Sequence, residues 1–301
     1  MLSCKNLSKP FVEGIMRNAM NLNKVAMLDY YKGKTLVNAF FEPSTRTSLS
    51  FESAMYRLGG NVITFNKDVS STNKGESDED TIKTLENYGD IMVIRHPHKG
   101  FVQEMANRCN IPVINGGDGD GEHPTQALLD LYTIYKRFPL LTNLNILFVG
   151  DIKHSRTIHS LIDLLQMYPT NKIYFLPFNN RELDSNDVCK IGVNHEQNVE
   201  DMVLTKDTLD ISMFDVIYCT RMQKERSYDV ECDIIIDKQF MENAKADAIL
   251  MHPLPRNNEI SIDMDTDKRS VYFEQIKNGV EIRTALIDYI LDHCKTNPML
   301  P

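Results

Sequence analysis

The sequence predicts an α/β protein of two domains, each a mostly parallel sheet flanked by helices, with a ligand cleft between them. Short and almost continuously apolar runs alternate with segments of helical spacing, which is typical of parallel sheets covered by helices. Four such strand–helix units lie on each side of a helical segment at 125–138. The length of 301 residues leaves room for two domains of ordinary size.

Eight strands are predicted from runs that are rich in β-branched and aromatic residues. They cover 35–41, 61–65, 91–95 and 111–115 before the central helix, and 145–151, 172–177, 215–220 and 248–252 after it. Between the strands, apolar residues recur every three or four positions, which indicates helices with one buried face. An example of this spacing is the set Phe51, Ala54, Met55 and Leu58. No internal repeat is visible in the sequence.

The domain boundaries follow from two helical segments. One is the segment at 125–138, which we expect to join the domains. The other is the C-terminal segment at 279–294, which has the spacing of an amphipathic helix and is expected to pack back on the first domain. The predicted domains are therefore 1–138 plus 283–301, and 139–282.

Composition argues against several classes of protein. The net charge is −9, from 33 basic and 42 acidic side chains, which argues against a broad nucleic-acid surface. No apolar run is long enough for a membrane span, and the N-terminus lacks a signal-peptide core. The six cysteines are scattered, without the spacing of a zinc site, so we expect reduced thiols and a cytoplasmic protein.

Arginines collect at the ends of the predicted strands. They are Arg46, Arg95, Arg156, Arg221, Arg226 and Arg256. In open α/β sheets, ligands bind beyond the carboxyl ends of the strands. A concentration of cations there, in a chain that is acidic as a whole, predicts a small and multiply negative ligand in the cleft.

The stretch FFEPSTRTSLSFESAMYRLGG at 40–60 places hydroxyls and an arginine where a helix should begin. A serine or threonine there is an ordinary N-cap, and Glu42 or Thr47 could belong to a capping arrangement. Capping does not explain Arg46, because the helix dipole disfavours a cation in the first turn. Backbone N–H groups, hydroxyls and a guanidinium together would enclose a phosphate. The segment therefore predicts a phosphate site that consists of Ser44, Thr45, Arg46 and Thr47.

Two other motifs allow more than one interpretation on the residues alone. Lys74 precedes Gly75 in a polar segment that is typical of a surface loop, although a lysine there could reach a phosphate. His123 stands at a loop-to-helix junction, where a neutral histidine could donate to a carbonyl oxygen. A capping or core histidine is the simpler interpretation of that position.

Three patterns that superficially indicate metals or cofactors fail on their spacing. His96 and His98 lack a third ligand in register. The run GGDGDG at 116–121 lacks the ligand spacing of an EF-hand, and the strand that ends in VGD at 149–151 is not followed by a dinucleotide glycine fingerprint. The sequence therefore predicts no metal and no cofactor.

Seven motifs occur in the order of the aspartate/ornithine carbamoyltransferases, and the chain resembles that family over essentially its whole length. They are FFEPSTRTSLSFESAMYRLGG, KGES, IMVIRHP, NGGDGDGEHPTQALLDLYTI, VGDIKHSRTIHSL, TRMQKER and MHPLPR. Ornithine-type members carry a cysteine where this chain has Pro253, so the chain is similar to the aspartate type. The resemblance implies transfer of a carbamoyl group from carbamoyl phosphate to L-aspartate, an early step of pyrimidine biosynthesis. It assigns carbamoyl phosphate to the first domain and aspartate to the second.

The resemblance also implies roles for single residues. Those implied to hold the phosphate are Ser44, Thr45, Arg46, Thr47 and Arg95. Those implied to polarise the carbamoyl oxygen are Thr47, Arg95 and His123. Those implied to receive the carbamoyl NH₂ are Gln126 and the backbone carbonyls of Pro253 and Leu254. Those implied to bind the carboxylates of aspartate are Arg156, Arg221 and Gln223.

Members of the family form trimers whose sites are shared between subunits. The resemblance implies that a neighbouring subunit contributes Ser70 and Lys74, and that Lys74 contacts both substrates. Some members also bind a regulatory subunit, and the sequence leaves that question open for this chain.

Three alternatives remain on the sequence alone. A carbamoyltransferase for another amine, such as ornithine, differs only in its second substrate. An inactive scaffold would have lost site residues, and no loss is visible. A nicotinamide-dependent dehydrogenase would need the glycine fingerprint that is missing.

Overall fold

The computed structural model describes residues 1–22, 30–67, 74–178, 183, 187–188, 191, 202–222 and 233–294. The chain forms two compact units, Met1–Leu129 with Ile276–Pro301, and Asp130–Gln275. Each unit contains a four-stranded parallel sheet with helices, so the predicted α/β class is confirmed. The units change at 129/130 and 275/276, whereas the predicted domains change at 138/139 and 282/283.

The first unit is a parallel sheet with helices around it. Its strands are β1 (Thr35–Phe40), β2 (Asn61–Asn66), β3 (Ile91–His96) and β4 (Val113–Asp118). Its helices are α1 (Lys9–Leu22), α2 (Thr45–Arg57), α3 (Asp78–Leu85), α4 (Phe101–Arg108) and the first residues of α5 (Pro124–Arg137). The strand order is β2-β1-β3-β4, and every pair is parallel. Central strands β1 and β3 are buried nearly throughout, as their apolar runs predict.

Helix α2 has a well-defined C-terminal end and a buried face. Gly59 has a φ of +78°, a left-handed conformation that glycine adopts without strain. The N–H of Gly60 bonds to the carbonyl of Met55 and the N–H of Gly59 to that of Tyr56, which is a Schellman motif. The predicted apolar set of this helix, Phe51, Ala54, Met55 and Leu58, is fully buried. The double glycine at the end of the 40–60 stretch therefore terminates α2.

The second unit repeats the sheet order of the first. Its strands are β5 (Asn145–Gly150), β6 (Lys172–Pro177), β7 (Val216–Cys219) and β8 (Ile249–Met251). Its helices include α6 (Arg156–Leu165) and the first residues of α7 (Tyr272–Cys294), which continues into the first unit. The order β6-β5-β7-β8 corresponds strand for strand to β2-β1-β3-β4, although the sequence shows no repeat.

The C-terminal part of α7 belongs to the core of the first unit. Leu286, Ile287 and Ile290 pack in the same buried cluster as Leu36 of β1 and Phe51 of α2. This helix therefore covers one face of the first sheet with residues that are distant in sequence from its strands.

The carboxyl ends of all four strands in each unit lie at one edge of that unit's sheet, because the strands are parallel. Loops and helix starts that follow the strands therefore gather at that edge. Among the described residues, no helix combines the length and the apolar character needed to cross a membrane.

Candidate active site

In the first unit, the start of α2 has the composition of an anion site. Ser44 occupies the N-cap position with extended backbone angles, but its side chain makes no capping hydrogen bond. No acidic residue stands in the first turn, and Arg46 is its second residue. Thr45 and Arg46 are exposed and Thr47 is buried. The hydroxyl of Ser44 thus does not cap the helix, and N–H groups, hydroxyls and a cation stand together where an anion would bind.

Arg95 lies beside this helix start and is held by a carboxylate. It pairs with Phe40 across β1 and β3, and its carbonyl accepts a hydrogen bond from the N–H of Phe41. Its Nε donates to Oε1 of Glu42 at 2.6 Å. The two residues are mostly buried, so Glu42 fixes the direction of the guanidinium.

Glu42 is a contact of Arg95 that the sequence patterns alone do not identify. It was considered only as part of a helix cap. The signal that could have identified it is its place after β1, since Arg95 lies near the end of β3, the strand that pairs with β1. The pairing of the two strands, which is a long-range feature, is needed to bring the two side chains together.

Thr47 and His123 meet in the interior of the first unit. Oγ1 of Thr47 lies 3.4 Å from Nε2 of His123, and both side chains are buried. The carbonyl of His123 accepts the N–H groups of Gln126 and Ala127, so this residue begins α5. A hydroxyl from the first turn of one helix and an imidazole at the start of another thus converge beside Arg46.

Lys74 stands apart from these groups. It is exposed, precedes α3 and makes no hydrogen bond or ion pair with another described residue. Ser70, its companion in the sequence prediction, lies outside the described residues. The structure of the single chain therefore leaves their role as a prediction.

The contacts of His96 favour a structural role for this histidine over a metal-binding one. Its Nε2 lies 3.0 Å from Oδ2 of Asp78, and its Nδ1 accepts the N–H of His98 at 3.1 Å. The ring also stacks on Phe101 at 3.7 Å between centroids. Both ring nitrogens are therefore engaged within the protein.

In the second unit, Arg156 occupies a position like that of Arg46. It is the first residue of α6, which follows β5, and no acidic residue stands in the first turn. The N-cap residue Ser155 makes no capping hydrogen bond with its side chain, whose Oγ lies 3.0 Å from Oγ1 of Thr157. The helix that follows the corresponding strand thus carries an arginine in its first turn in both units.

Arg221 follows the neighbouring strand β7 at the same edge. The N–H of Thr220 bonds to the carbonyl of Val149, so the residues after β5 and β7 start side by side. A cavity of about 390 Å³ opens at this edge, and its lining includes Asp151, His154 and Met222. The other predicted residues of this segment, Gln223 and Arg226, lie outside the described residues.

Pro253 and Leu254 follow β8, which ends at the same edge next to β7. Leu254 has a φ of +53°, which is rare for a residue with a branched side chain. Its N–H donates to Nδ1 of His252 at 2.8 Å, and Nε2 of His252 lies 2.9 Å from Oε1 of Glu259. The backbone of this loop is thus held by buried side chains in one particular direction.

Arg256, also counted among the strand-end arginines, is engaged inside the second unit. Its Nη2 donates to Oδ2 of Asp265 at 2.8 Å and its Nη1 to the hydroxyl of Tyr272 at 2.9 Å. These bonds raise the pKa of Arg256 further, the bond to Asp265 most. Arg256 is therefore held by contacts that support the loop after β8.

Comparison with known proteins identifies the family of both parts of the chain. Residues 1–136 match the family model "Aspartate/ornithine carbamoyltransferase, carbamoyl-P binding domain", and residues 142–290 match "Aspartate/ornithine carbamoyltransferase, Asp/Orn binding domain". The aspartate carbamoyltransferase catalytic subunit of Thermococcus kodakarensis is 42% identical over 97% of the chain and 96% of its own length. The multifunctional protein CAD of Squalus acanthias is 41% identical, and there the match spans only 13% of that protein.

Solved structures show the same fold. The catalytic subunit of M. jannaschii aspartate transcarbamoylase superposes with a TM-score of 0.86 at 36% identity, over 98% of each chain. The Trypanosoma cruzi aspartate transcarbamoylase in complex with carbamoyl phosphate and aspartate gives a TM-score of 0.84 at 34% identity, over 95% of this chain and 94% of that one.

Proposed function

The chain belongs to the aspartate/ornithine carbamoyltransferase family, and we propose that it transfers the carbamoyl group of carbamoyl phosphate to the amine of L-aspartate. The products are N-carbamoyl-L-aspartate and phosphate. The observation that carries the proposal is the start of α2, where Arg46 stands in the first turn, Ser44 makes no capping bond and Thr47 meets His123.

The first unit supplies the groups that bind carbamoyl phosphate, both its phosphate leaving group and its carbamoyl group. Ser44, Thr45, Arg46 and the N–H groups of α2 hold the phosphate, together with Arg95. Attack by the amine builds negative charge on the carbamoyl oxygen, and donors from Thr47, Arg95 and His123 stabilise that charge. The side-chain amide oxygen of Gln126 accepts a hydrogen bond from the carbamoyl NH₂.

The reaction then needs no covalent intermediate on the protein. The C–N bond forms as the bond between the carbamoyl carbon and the phosphate oxygen breaks, and phosphate leaves with that electron pair. The phosphate is basic enough to take the proton that the amine loses. The protein's contribution is therefore positioning and electrostatic stabilisation.

The second unit binds the other substrate in this proposal. Arg156 and Arg221, with Gln223, bind the two carboxylates of aspartate, for which the fork of a guanidinium is well suited. The carbonyls of Pro253 and Leu254 accept hydrogen bonds from the carbamoyl NH₂. Two cations at this edge favour a dicarboxylate over an amine with a second positive charge, and this supports aspartate over ornithine.

The experiment that tests the proposal is a substrate comparison. Purified protein is incubated with carbamoyl phosphate and either L-aspartate or L-ornithine, and the carbamoylated product is measured. We expect product with L-aspartate only. Turnover with L-ornithine alone would show that the chain uses a different amine, and a protein without turnover on either would support the inactive scaffold.

The assembly and cellular role are part of the same proposal. A homotrimer whose sites share Ser70 and Lys74 between subunits is supported by apolar side chains on the surface of the first unit. Leu49 and Tyr56, seven residues apart on one face of α2, are 57% and 54% exposed. The reaction places the protein in pyrimidine biosynthesis, and we propose a cytoplasmic location.

A further inference from the structure

A buried chain of hydrogen bonds in the second unit joins β7 to the loop after β8. The hydroxyl of Tyr218 donates to Oδ2 of Asp130 at 2.7 Å. Nε2 of Gln275 donates to Oδ1 of Asp130 at 2.7 Å, and Oε1 of Gln275 accepts the N–H of His252 at 2.8 Å. All four residues are at most 2% exposed. We call this chain of four residues the relay.

The imidazole of His252 connects the relay to the backbone of Leu254. Nδ1 of His252 accepts the N–H of Leu254, so the ring proton is on Nε2 and is donated to Glu259. Burial lowers the pKa of His252 below its ordinary value, and this keeps the acceptor at Nδ1 available at neutral pH.

Leu254 needs such support because its backbone is strained. A φ of +53° places Cβ of a leucine close to backbone oxygens, and such conformations persist only where the surroundings determine them. The direction of the carbonyls at Pro253 and Leu254 thus depends on the position of His252. That position depends in turn on Gln275 and Asp130.

The charge of Asp130 suits this role. A fully buried carboxylate is costly, and here two donors offset the cost. Burial, followed by the charge of Asp130, raises the pKa of Tyr218 well above its ordinary value, so the phenol stays a donor. Each polar atom of the relay therefore has a defined donor or acceptor role.

We propose that Asp130 and Gln275 are positioning residues for carbamoyl phosphate, which fix the carbonyls of Pro253 and Leu254 through His252. The proposal depends on the assignment of these two carbonyls to the carbamoyl NH₂ in the proposed function. It adds two residues, 145 positions apart in the sequence, that touch no substrate themselves.

The test begins with Gln275→Glu. The new side chain can still accept the N–H of His252, but it places a carboxylate oxygen against Asp130 and loses the donor. We expect the affinity for carbamoyl phosphate, measured by calorimetry without aspartate, to fall about 10- to 100-fold, as misplaced contact groups do.

A transposed double variant provides the rescue. In Asp130→Asn combined with Gln275→Glu, the amide at position 130 donates to the carboxylate at 275 and accepts from Tyr218. Every hydrogen bond of the relay is remade with the same total charge. We expect the affinity to return to within about threefold of that of the parent, a smaller change than the loss of about 10- to 100-fold expected for Gln275→Glu.

Two further variants separate positioning from stability. Ile217→Val, beside Tyr218 on the opposite face of β7, should lower the melting temperature and leave carbamoyl phosphate affinity unchanged. Gln275→Met removes both hydrogen-bonding functions without charge repulsion, and we expect it to fold and to lose affinity as Gln275→Glu does.

The outcomes distinguish this inference from the proposed function. A parent protein that does not bind carbamoyl phosphate overturns the proposed function. If the parent binds it and a folded Gln275→Met binds it equally well, Asp130 and Gln275 are not positioning residues. A double variant that folds but binds as poorly as Gln275→Glu also overturns the inference.

Discussion

At the scale of single residues, both units place an arginine where helix stability disfavours it. Arg46 and Arg156 stand in the first turns of α2 and α6, and neither helix has an acidic residue there. A cation at this end costs about 0.3–1 kcal/mol in stability. A ligand with negative charge removes that cost when it binds, so both positions are better explained by binding than by folding.

Replacing Arg46 should therefore separate activity from stability. For Arg46→Ala we expect turnover to fall by ~10²–10³, because a preorganised donor to developing charge is lost. The melting temperature should stay the same or rise slightly, since an unfavourable charge leaves the helix start. Steady-state kinetics and thermal unfolding of the purified variant measure the two effects.

The matched control is Arg57→Ala. Arg57 is exposed at the other end of the same helix, where a cation is favourable. We expect near-parental turnover and a slightly lower melting temperature. Equal turnover in the two variants would contradict the phosphate role of Arg46.

Arg221 should affect the second substrate only. Arg221→Ala removes a partner for a carboxylate of aspartate, so we expect the KM for aspartate to rise by at least about tenfold, as the loss of one charged hydrogen bond produces. Affinity for carbamoyl phosphate, measured by calorimetry, should change little. If Arg221→Ala instead lost its affinity for carbamoyl phosphate and kept the parental KM for aspartate, the roles given to the two units would be reversed.

At the scale of the elements, a buried histidine ties the end of β3 to the start of α3. His96 ends β3, and Asp78, its partner at 3.0 Å, begins α3. Lys67 bonds to the same carboxylate oxygen at 3.1 Å. Burial lowers the pKa of His96, and the bond to Asp78 opposes that shift only in part. The pKa of Asp78 is lowered too, since hydrogen bonds from His96 and Lys67 outweigh the effect of its burial.

This contact predicts a loss of stability in mild acid. The folded state holds His96 neutral below the pH at which the unfolded chain takes up the proton, so stability falls as pH drops below about 6.5. One such group contributes a slope of at most about 1.4 kcal/mol per pH unit. His252, whose pKa burial also lowers, acts in the same direction. Asp78 contributes only at lower pH, below about 3.8, where its stabilising charge is lost.

The variant that tests this is His96→Asn. The amide oxygen can still accept the N–H of His98, but the group no longer titrates. We expect a smaller drop in melting temperature between about pH 7.5 and about pH 5.5 than the parent shows, with His252 still contributing in the same direction. His98→Asn removes an exposed histidine two positions away and should keep the parental drop. A parental drop in His96→Asn would show that His96 does not titrate there.

At the scale of the whole molecule, the role of Lys74 depends on assembly. Lys74 is exposed and makes no bond to the described residues of its own chain. A catalytic contribution from such a residue is best explained if it acts in a neighbouring subunit of the proposed trimer. Heterologous interfaces in a closed ring allow this arrangement.

Mixing two inactive variants tests the shared site. We expect Arg46→Ala and Lys74→Ala proteins each to be nearly inactive alone. After dissociation, equal mixing and reassembly, roughly a quarter of the sites should combine an intact Arg46 with an intact neighbouring Lys74. The expected result is that the reassembled mixture is far more active than either variant alone. Mass spectrometry confirms that hybrid trimers have formed. If these hybrids are as inactive as the two variants alone, Lys74 does not act across the interface.

Local pattern was enough to predict the elements and to propose one part of the site. The apolar runs of the eight strands and the spacing of Phe51, Ala54 and Met55 depend only on neighbouring residues, and the structure places strands and a helix there. The proposal of a phosphate site at Ser44–Thr47 rests on local pattern too, because a helix start with a misplaced cation is visible in four consecutive residues.

The sequence by itself therefore determined the α/β class, the helix starts with their arginines, and the family. Only the tertiary structure decided which strands are neighbours, and hence that Glu42 holds Arg95 and that Asp130 meets both Gln275 and Tyr218. The physical reason is the separation in sequence between the residues that interact. Helical and strand periodicity follow from the geometry of a few consecutive residues, whereas a hydrogen bond between positions 130 and 275 exists only after two distant segments have packed together.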